Sequence, residues 1–118
     1  MGFVQVRTTI KSFSSGRRTY EADFLADTGA MDSLVPAAEL RNIGVKPVAT
    51  EAYQLADGSV RQFRFGLAEI SVMGRTTAGR VLFGDDDAGP ILGVTALESA
   101  GFGVDPVNQT LVRLQPRL

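Results

Sequence analysis

Apolar and polar residues alternate with a period of two along most of this chain, and glycine-bearing turns cut the alternation into short runs. The run FVQVRTTI at 3–10 puts every second residue on one face, as a half-buried strand does; a helix would need apolar residues three and four apart. SSGRR at 14–18 reads as a turn, so TYEADFLAD at 19–27 returns beside the first run as a hairpin. Further breaks fall at LADGSV (55–60), VMGRTTAG (72–79) and FGDDDAGP (83–90), with strand-like RQFRFGLAEISV and RVLF between them. Only two segments suit a helix. PAAELRNIG at 36–44 has Pro36 at its start and Gly44 at its end. TALESAG at 95–101 has Thr95 and Glu98 at capping-box spacing and Gly101 as its stop. The expectation is an all-β fold with one or two short helices. With 118 residues, no linker and no repeat, residues 1–118 are read as a single domain around one core.

Composition removes whole classes of function. The formal net charge of -1 gives no general attraction to nucleic acid or to an anionic membrane, so neither is expected as a partner. No apolar run approaches the roughly 18 residues of a membrane span. The alternating N-terminus lacks the continuous apolar stretch of a signal peptide, and Val6 stands where a myristoylation motif starting at Gly2 wants Ser or Thr. A cytoplasmic protein is expected. Cysteine and histidine are both absent. Disulfides, thiolate nucleophiles, Ser-His triads and His- or Cys-bound zinc are therefore excluded, and an enzyme of this composition must work with carboxylates, hydroxyls, Lys, Arg and Tyr.

Against that background LADTGA at 25–30 stands out. Asp, Thr and Gly are turn formers, and D-T-G at a strand end can be no more than a loop. Yet Asp27 follows the apolar FLA, and no basic residue lies within eight positions before it or thirteen after it. A carboxylate placed beside a buried strand without a partner is costly, and such a position calls for a reason.

The chain resembles the retropepsins, the single-domain aspartic proteases of retroviral type. Three segments carry the likeness in order: LADTGAMDSLVP as the catalytic loop, YQLADGSVRQF as the glycine-tipped flap, and GPILGVTALESAGFGVD as the apolar-apolar-Gly segment with its short helix. The resemblance covers residues 4–105 and implies a closed-barrel-like acid protease fold. It also implies an aspartic endopeptidase that acts on peptide or protein substrates and uses no cofactor or metal. One D-T-G per chain implies a homodimer, in which two Asp27 carboxylates face each other across a water and share a proton. By the same comparison Thr28 reaches across the dyad axis to hold the two loops, and Gly29 lets the substrate backbone come close. Ala30 and Asp32 line the cleft, as do Leu55, Asp57, Gly58 and Val60 of the flap. Gly93 packs against the catalytic loop, with Ile91 and Leu92 beside it as core or pocket wall.

Other motifs have plainer readings. Asp85, Asp86 and Asp87 read as a solvated loop rather than a cation site, because three successive carboxylates cannot converge on one ion from a strand. Asn108-Gln109-Thr110 reads as a turn, and the pair Arg17-Arg18 belongs to the first hairpin loop. Two departures from the retropepsin pattern stand out. The acidic residue after D-T-G-A and the Arg after apolar-apolar-Gly are replaced by Met31 and Val94, where an apolar contact is expected to substitute for the ion pair. The chain also runs on past the short helix as FGVDPVNQTLVRLQPRL, which suggests a hairpin within one chain turning around 106–110, with Pro116 confining any strand to an edge. The alternatives to an enzyme are a retropepsin-like dimerisation or peptide-binding module without activity, and an unrelated β-barrel ligand binder.

Overall fold

The computed structural model describes residues 4–14 and 18–118. Nine strands and two helices follow one another as β1 (Val4–Lys11), β2 (Thr19–Asp27), β3 (Ser33–Pro36), α1 (Ala37–Asn42), β4 (Ala49–Gln54), β5 (Val60–Val72), β6 (Arg75–Gly84), β7 (Ile91–Gly93), α2 (Val94–Ser99), β8 (Phe102–Asp105) and β9 (Thr110–Arg113). The expected all-β fold with two short helices is what forms. The turn expected at 14–18 falls largely outside the described residues, as does Arg17; Arg18 donates to the Asn42 carbonyl at 3.1 Å.

Strand order is β1-β2-β7-β3-β6-β5-β4, and β1 also pairs with β5, so six strands close into a ring while β4 extends from the outer edge of β5. The first hairpin runs in register from Val4 opposite Ala26 to Lys11 opposite Thr19. Most neighbours are antiparallel, but β2–β7 and β3–β6 are parallel. The short β7 therefore lies between β2 and β3 and separates two strands that the loop 28–32 connects. Inward alternation fills the ring with Ile10, Phe24, Val35, Ile70, Val81 and Leu92, all essentially inaccessible to solvent. The helices close it with Leu40 and Leu97.

The break expected over 72–79 is narrower than the sequence suggests. Met73 and Gly74 alone make it, both with positive φ (49° and 77°), the two-residue turn whose twist matches the flanking strands. Arg75 to Gly79 continue as β6, because their alternation still serves the sheet. Helix α1 ends where Gly44 adopts φ 86°: the Gly44 N–H bonds the Arg41 carbonyl and the Val45 N–H bonds that of Leu40, the paired closure that favours glycine. Its first turn is capped from outside the helix, by Asp86 Oδ1 accepting from the Ala38 N–H at 2.9 Å. Asp85 pairs with Arg61 at 2.8 Å, and this contact holds its carboxyl below the usual range. Two of the three carboxylates of the acidic run thus serve the fold.

The capping box expected at Thr95 and Glu98 does not form. Helix α2 starts at Val94 with Gly93 as its N-cap residue, and no side chain caps it. The early N–H groups find carbonyls of the loop 28–32 instead. The C-terminal hairpin β8–β9 forms within the chain as expected, with Phe102 opposite Arg113 and Asp105 opposite Thr110. Phe102 is buried in the main core and anchors it. Asp105 accepts from the Val107 and Asn108 N–H groups and from Asn108 Nδ2, fixing the turn over 106–109. Strand β9 stops at Arg113, three residues short of Pro116.

Candidate active site

Asp27 is the last residue of β2, paired in parallel register with Gly93. Phe24 is fully buried three residues earlier, while Asp27 itself is half-buried at the mouth of the ring. The chain turns at once. The Gly29 N–H donates to Asp27 Oδ1 at 2.9 Å and the Ala30 N–H to the Asp27 carbonyl at 3.1 Å. A Cβ on Gly29 would stand 3.2 Å from that Oδ1, so glycine keeps the approach to the carboxylate open. Thr28 is exposed at the apex.

The loop beyond is held by backbone rather than by side chains. The Val94 N–H donates to the Ala30 carbonyl at 2.8 Å and the Thr95 N–H to that of Met31 at 3.1 Å. The start of α2 is thereby bonded to the loop 28–32, which satisfies two of the helix's otherwise unpaired donors. The Gly93 N–H donates to the buried Ser33 hydroxyl at 3.0 Å. A Cβ on Gly93 would lie 2.5 Å from the Asp32 carbonyl carbon, so the packing of Gly93 on this loop requires glycine. An apolar contact of Met31 with Val94 was the expected replacement for an ion pair; instead the Met31 side chain is 66% exposed and backbone hydrogen bonds fix the loop.

The β4–β5 hairpin forms the opposite wall. At its tip the Gly58 N–H bonds the Leu55 carbonyl and the Leu55 N–H bonds that of Ser59, with Gly58 at φ 87°. Between hairpin and loop lies a cleft of about 1000 Å³. Of the residues singled out from sequence, Asp27, Gly29, Ala30, Asp32, Leu55, Gly58 and Ile91 line it. Thr28, Asp57 and Val60 stand outside that lining. Asp57 turns back to accept from the Ser59 N–H (2.9 Å) and hydroxyl (2.6 Å), and these bonds lower its pKa. Val60 opens β5 and is 67% exposed. The pair Ile91 and Leu92 divides as β alternation requires, Ile91 to the cleft and Leu92 to the core.

Sequence reading gave no role to Tyr53, Glu51 and Arg80, which also line the cleft. Tyr53 donates its hydroxyl to Asp32 Oδ2 at 2.5 Å and packs edge-on to Phe63, with ring centroids 6.1 Å apart. Burial, followed by the bond to Asp32, pushes the phenol above its usual range. Arg80 lies 4.2 Å over the Phe65 ring and pairs with Glu51 at 3.2 Å. Contact with the Tyr53 hydroxyl, then with Glu51, raises the Arg80 pKa. The available signal was faint: Tyr53 is the one half-buried residue in an otherwise exposed β4, a difference that requires knowing which face β4 presents.

No protein-family model matches the chain, and no curated protein does. Among solved structures it is similar to the solution structure of the simian foamy virus (mac) protease, with 21% identity and a TM-score of 0.57. The likeness covers 80% of this chain and 91% of that one. Identity this low speaks for the course of the backbone alone. With the ring of six strands, the hairpin over the cleft and α2 bonded to the loop after Asp27, the chain has a retropepsin-like fold.

Proposed function

We propose that the protein is an aspartic endopeptidase that works as a homodimer, with residues 1–118 as its single catalytic domain. One observation carries this reading: the D-T-G-A carboxylate stands at the end of the half-buried β2 and lines a cleft whose opposite wall is a glycine-tipped hairpin. One chain supplies one such carboxylate, and the exposed Thr28 and Met31 beside it are where a second copy would bring its own. Two facing carboxylates hold a water between them, and their mutual repulsion keeps a proton on one. The ionised Asp27 takes a proton from the water as its oxygen attacks the peptide carbonyl carbon. The protonated Asp27 of the other copy hydrogen-bonds the developing oxyanion. Collapse breaks the C–N bond, the departing nitrogen takes the proton that Asp27 removed from the water, and no covalent enzyme intermediate forms.

In this reading Thr28 braces the two loops across the axis, and Gly29 admits the peptide backbone. Ala30, Asp32, Leu55, Gly58 and Ile91 contact the peptide, while Asp57 and Val60 shape the flap. The test is incubation with a randomised peptide library between about pH 3 and pH 8, with and without pepstatin. Pepstatin-sensitive cleavage that falls by several orders of magnitude in Asp27→Asn is the expected result. A folded dimer that cuts nothing across that range would replace the enzyme with a binding module.

A further inference from the structure

The charged groups of the cleft are unequally satisfied. Asp27, Asp32, Glu51 and Arg80 line it. Arg80 is committed on two sides: its guanidinium covers the Phe65 ring and pairs with Glu51. Glu51 is correspondingly taken up by Arg80. Asp32 differs. Its Oδ2 accepts from Tyr53 and the Arg80 charge acts on it without an ion pair, while no hydrogen bond or ion pair from the described residues reaches its Oδ1. The Tyr53 ring is fixed against Phe63 and so sets the direction of the carboxylate.

Beneath Asp32 the wall is apolar. Leu34, Phe63 and Leu82 line the same cleft and belong to one packed cluster, with Phe63 and Leu82 buried. An apolar wall that ends at an oriented carboxylate fits a side chain with an aliphatic stem and a cationic head. The stem gains by leaving water, and the head by a charge-assisted hydrogen bond to an anion whose direction is already set. A purely aliphatic side chain would fill the wall but leave the carboxylate desolvated and unpaired. An acidic side chain would meet Asp32 and Glu51, with Arg80, the cation that lines the cleft among the described residues, already engaged.

We propose that Asp32, aimed by Tyr53, is the specificity-determining carboxylate of the cleft and selects a lysine or arginine side chain of the bound peptide. This rests on the peptide-binding part of the function proposed above, and not on its chemistry. Asp32 makes the contact; Tyr53 is a positioning residue that acts through it.

Binding separates the two. The full-length Asp27→Asn protein is titrated with fluorescent octapeptides of neutral, mildly apolar sequence, in which one position at a time carries Lys, Arg, norleucine, citrulline or Glu. At one position Lys and Arg should bind about tenfold or more tighter than norleucine and citrulline, with Glu weakest. The preference should shrink when salt rises from about 0.05 to 0.5 M. Adding Asp32→Asn should abolish it, the Lys-to-norleucine ratio falling to about one. Tyr53→Phe keeps the carboxylate and the ring, so it should narrow the Lys-to-norleucine ratio, where a general loss of structure would weaken both peptides in proportion. Equal affinity for Lys and norleucine at every position, preference for Glu, or no binding by any peptide would overturn the proposal. If the wild-type protein cuts nothing while the Lys preference stands, the proposed chemistry fails and the subsite survives.

Discussion

Gly93 shows how little room the loop 28–32 leaves. A methyl group there would meet the Asp32 backbone at 2.5–2.8 Å, and backbone cannot swing aside as a side-chain end does. Gly93→Ala should therefore push the loop 28–32 away from α2 and cost ~1–3 kcal/mol, read as a lowered denaturation midpoint. An unchanged midpoint would mean the loop is softer than its three backbone hydrogen bonds imply. At this scale the sequence was informative where a residue acts by its own chemistry. Asp27 stands out by its charge at the end of an apolar run, and Gly29 and Gly93 through the retropepsin resemblance. Tyr53 and Arg80 do not, because what matters about them is a partner far away in the chain. Tyr53 meets Asp32 across 21 positions, and Arg80 meets Glu51 across 29.

Among the elements, the β4–β5 hairpin depends on an exposed side chain for its tip. Asp57 holds the Ser59 N–H and hydroxyl as an ionised acceptor, and its pKa falls below the ordinary 3.8. A depressed pKa means the turn's extra stability is fully present above the unfolded value and lost as pH falls through the folded one. Amide exchange at Gly58 and Ser59, corrected for its intrinsic pH dependence, should therefore quicken below 3.8 in the wild-type protein. In Asp57→Ala it should be fast at every pH. Parallel behaviour of the two proteins would show that backbone bonds alone set the turn. Element type was legible from the period-two pattern and turn residues, which are local. Boundaries failed where a distant element intervened. Helix α2 begins early because the loop 28–32 offers it carbonyls, and the break at 72–79 narrows to two residues because Met73 accepts a positive φ. The strands β3 and β7 were invisible as strands, being four and three residues long. Only their neighbours give them their place in the ring.

For the whole molecule, the ring closes the core within one chain but leaves the proposed chemistry half-built. In the proposed chemistry, a single Asp27 in the cleft is a base without its acid. That incompleteness can be tested without knowing the substrate's sequence, using any library peptide that the wild-type protein cuts. Wild-type and Asp27→Asn chains are mixed in equal amounts, at fixed total concentration, and left until the subunits have exchanged. If catalysis needs one Asp27 from each of two copies, random pairing leaves about a quarter of the dimers with two carboxylates, and activity falls to about a quarter of the pure wild-type value. If each chain works alone, half the chains remain competent and activity falls only to about half. Dilution gives a second signature, since specific activity should drop as dimers dissociate, and bound peptide should oppose the drop by stabilising the paired state. Activity that follows the fraction of wild-type chains linearly, and is indifferent to dilution, would remove the shared dyad even if Asp27 proved essential. The two carboxylates must act together or the cleft hydrolyses by another route, and the curvature of the mixing plot decides between them.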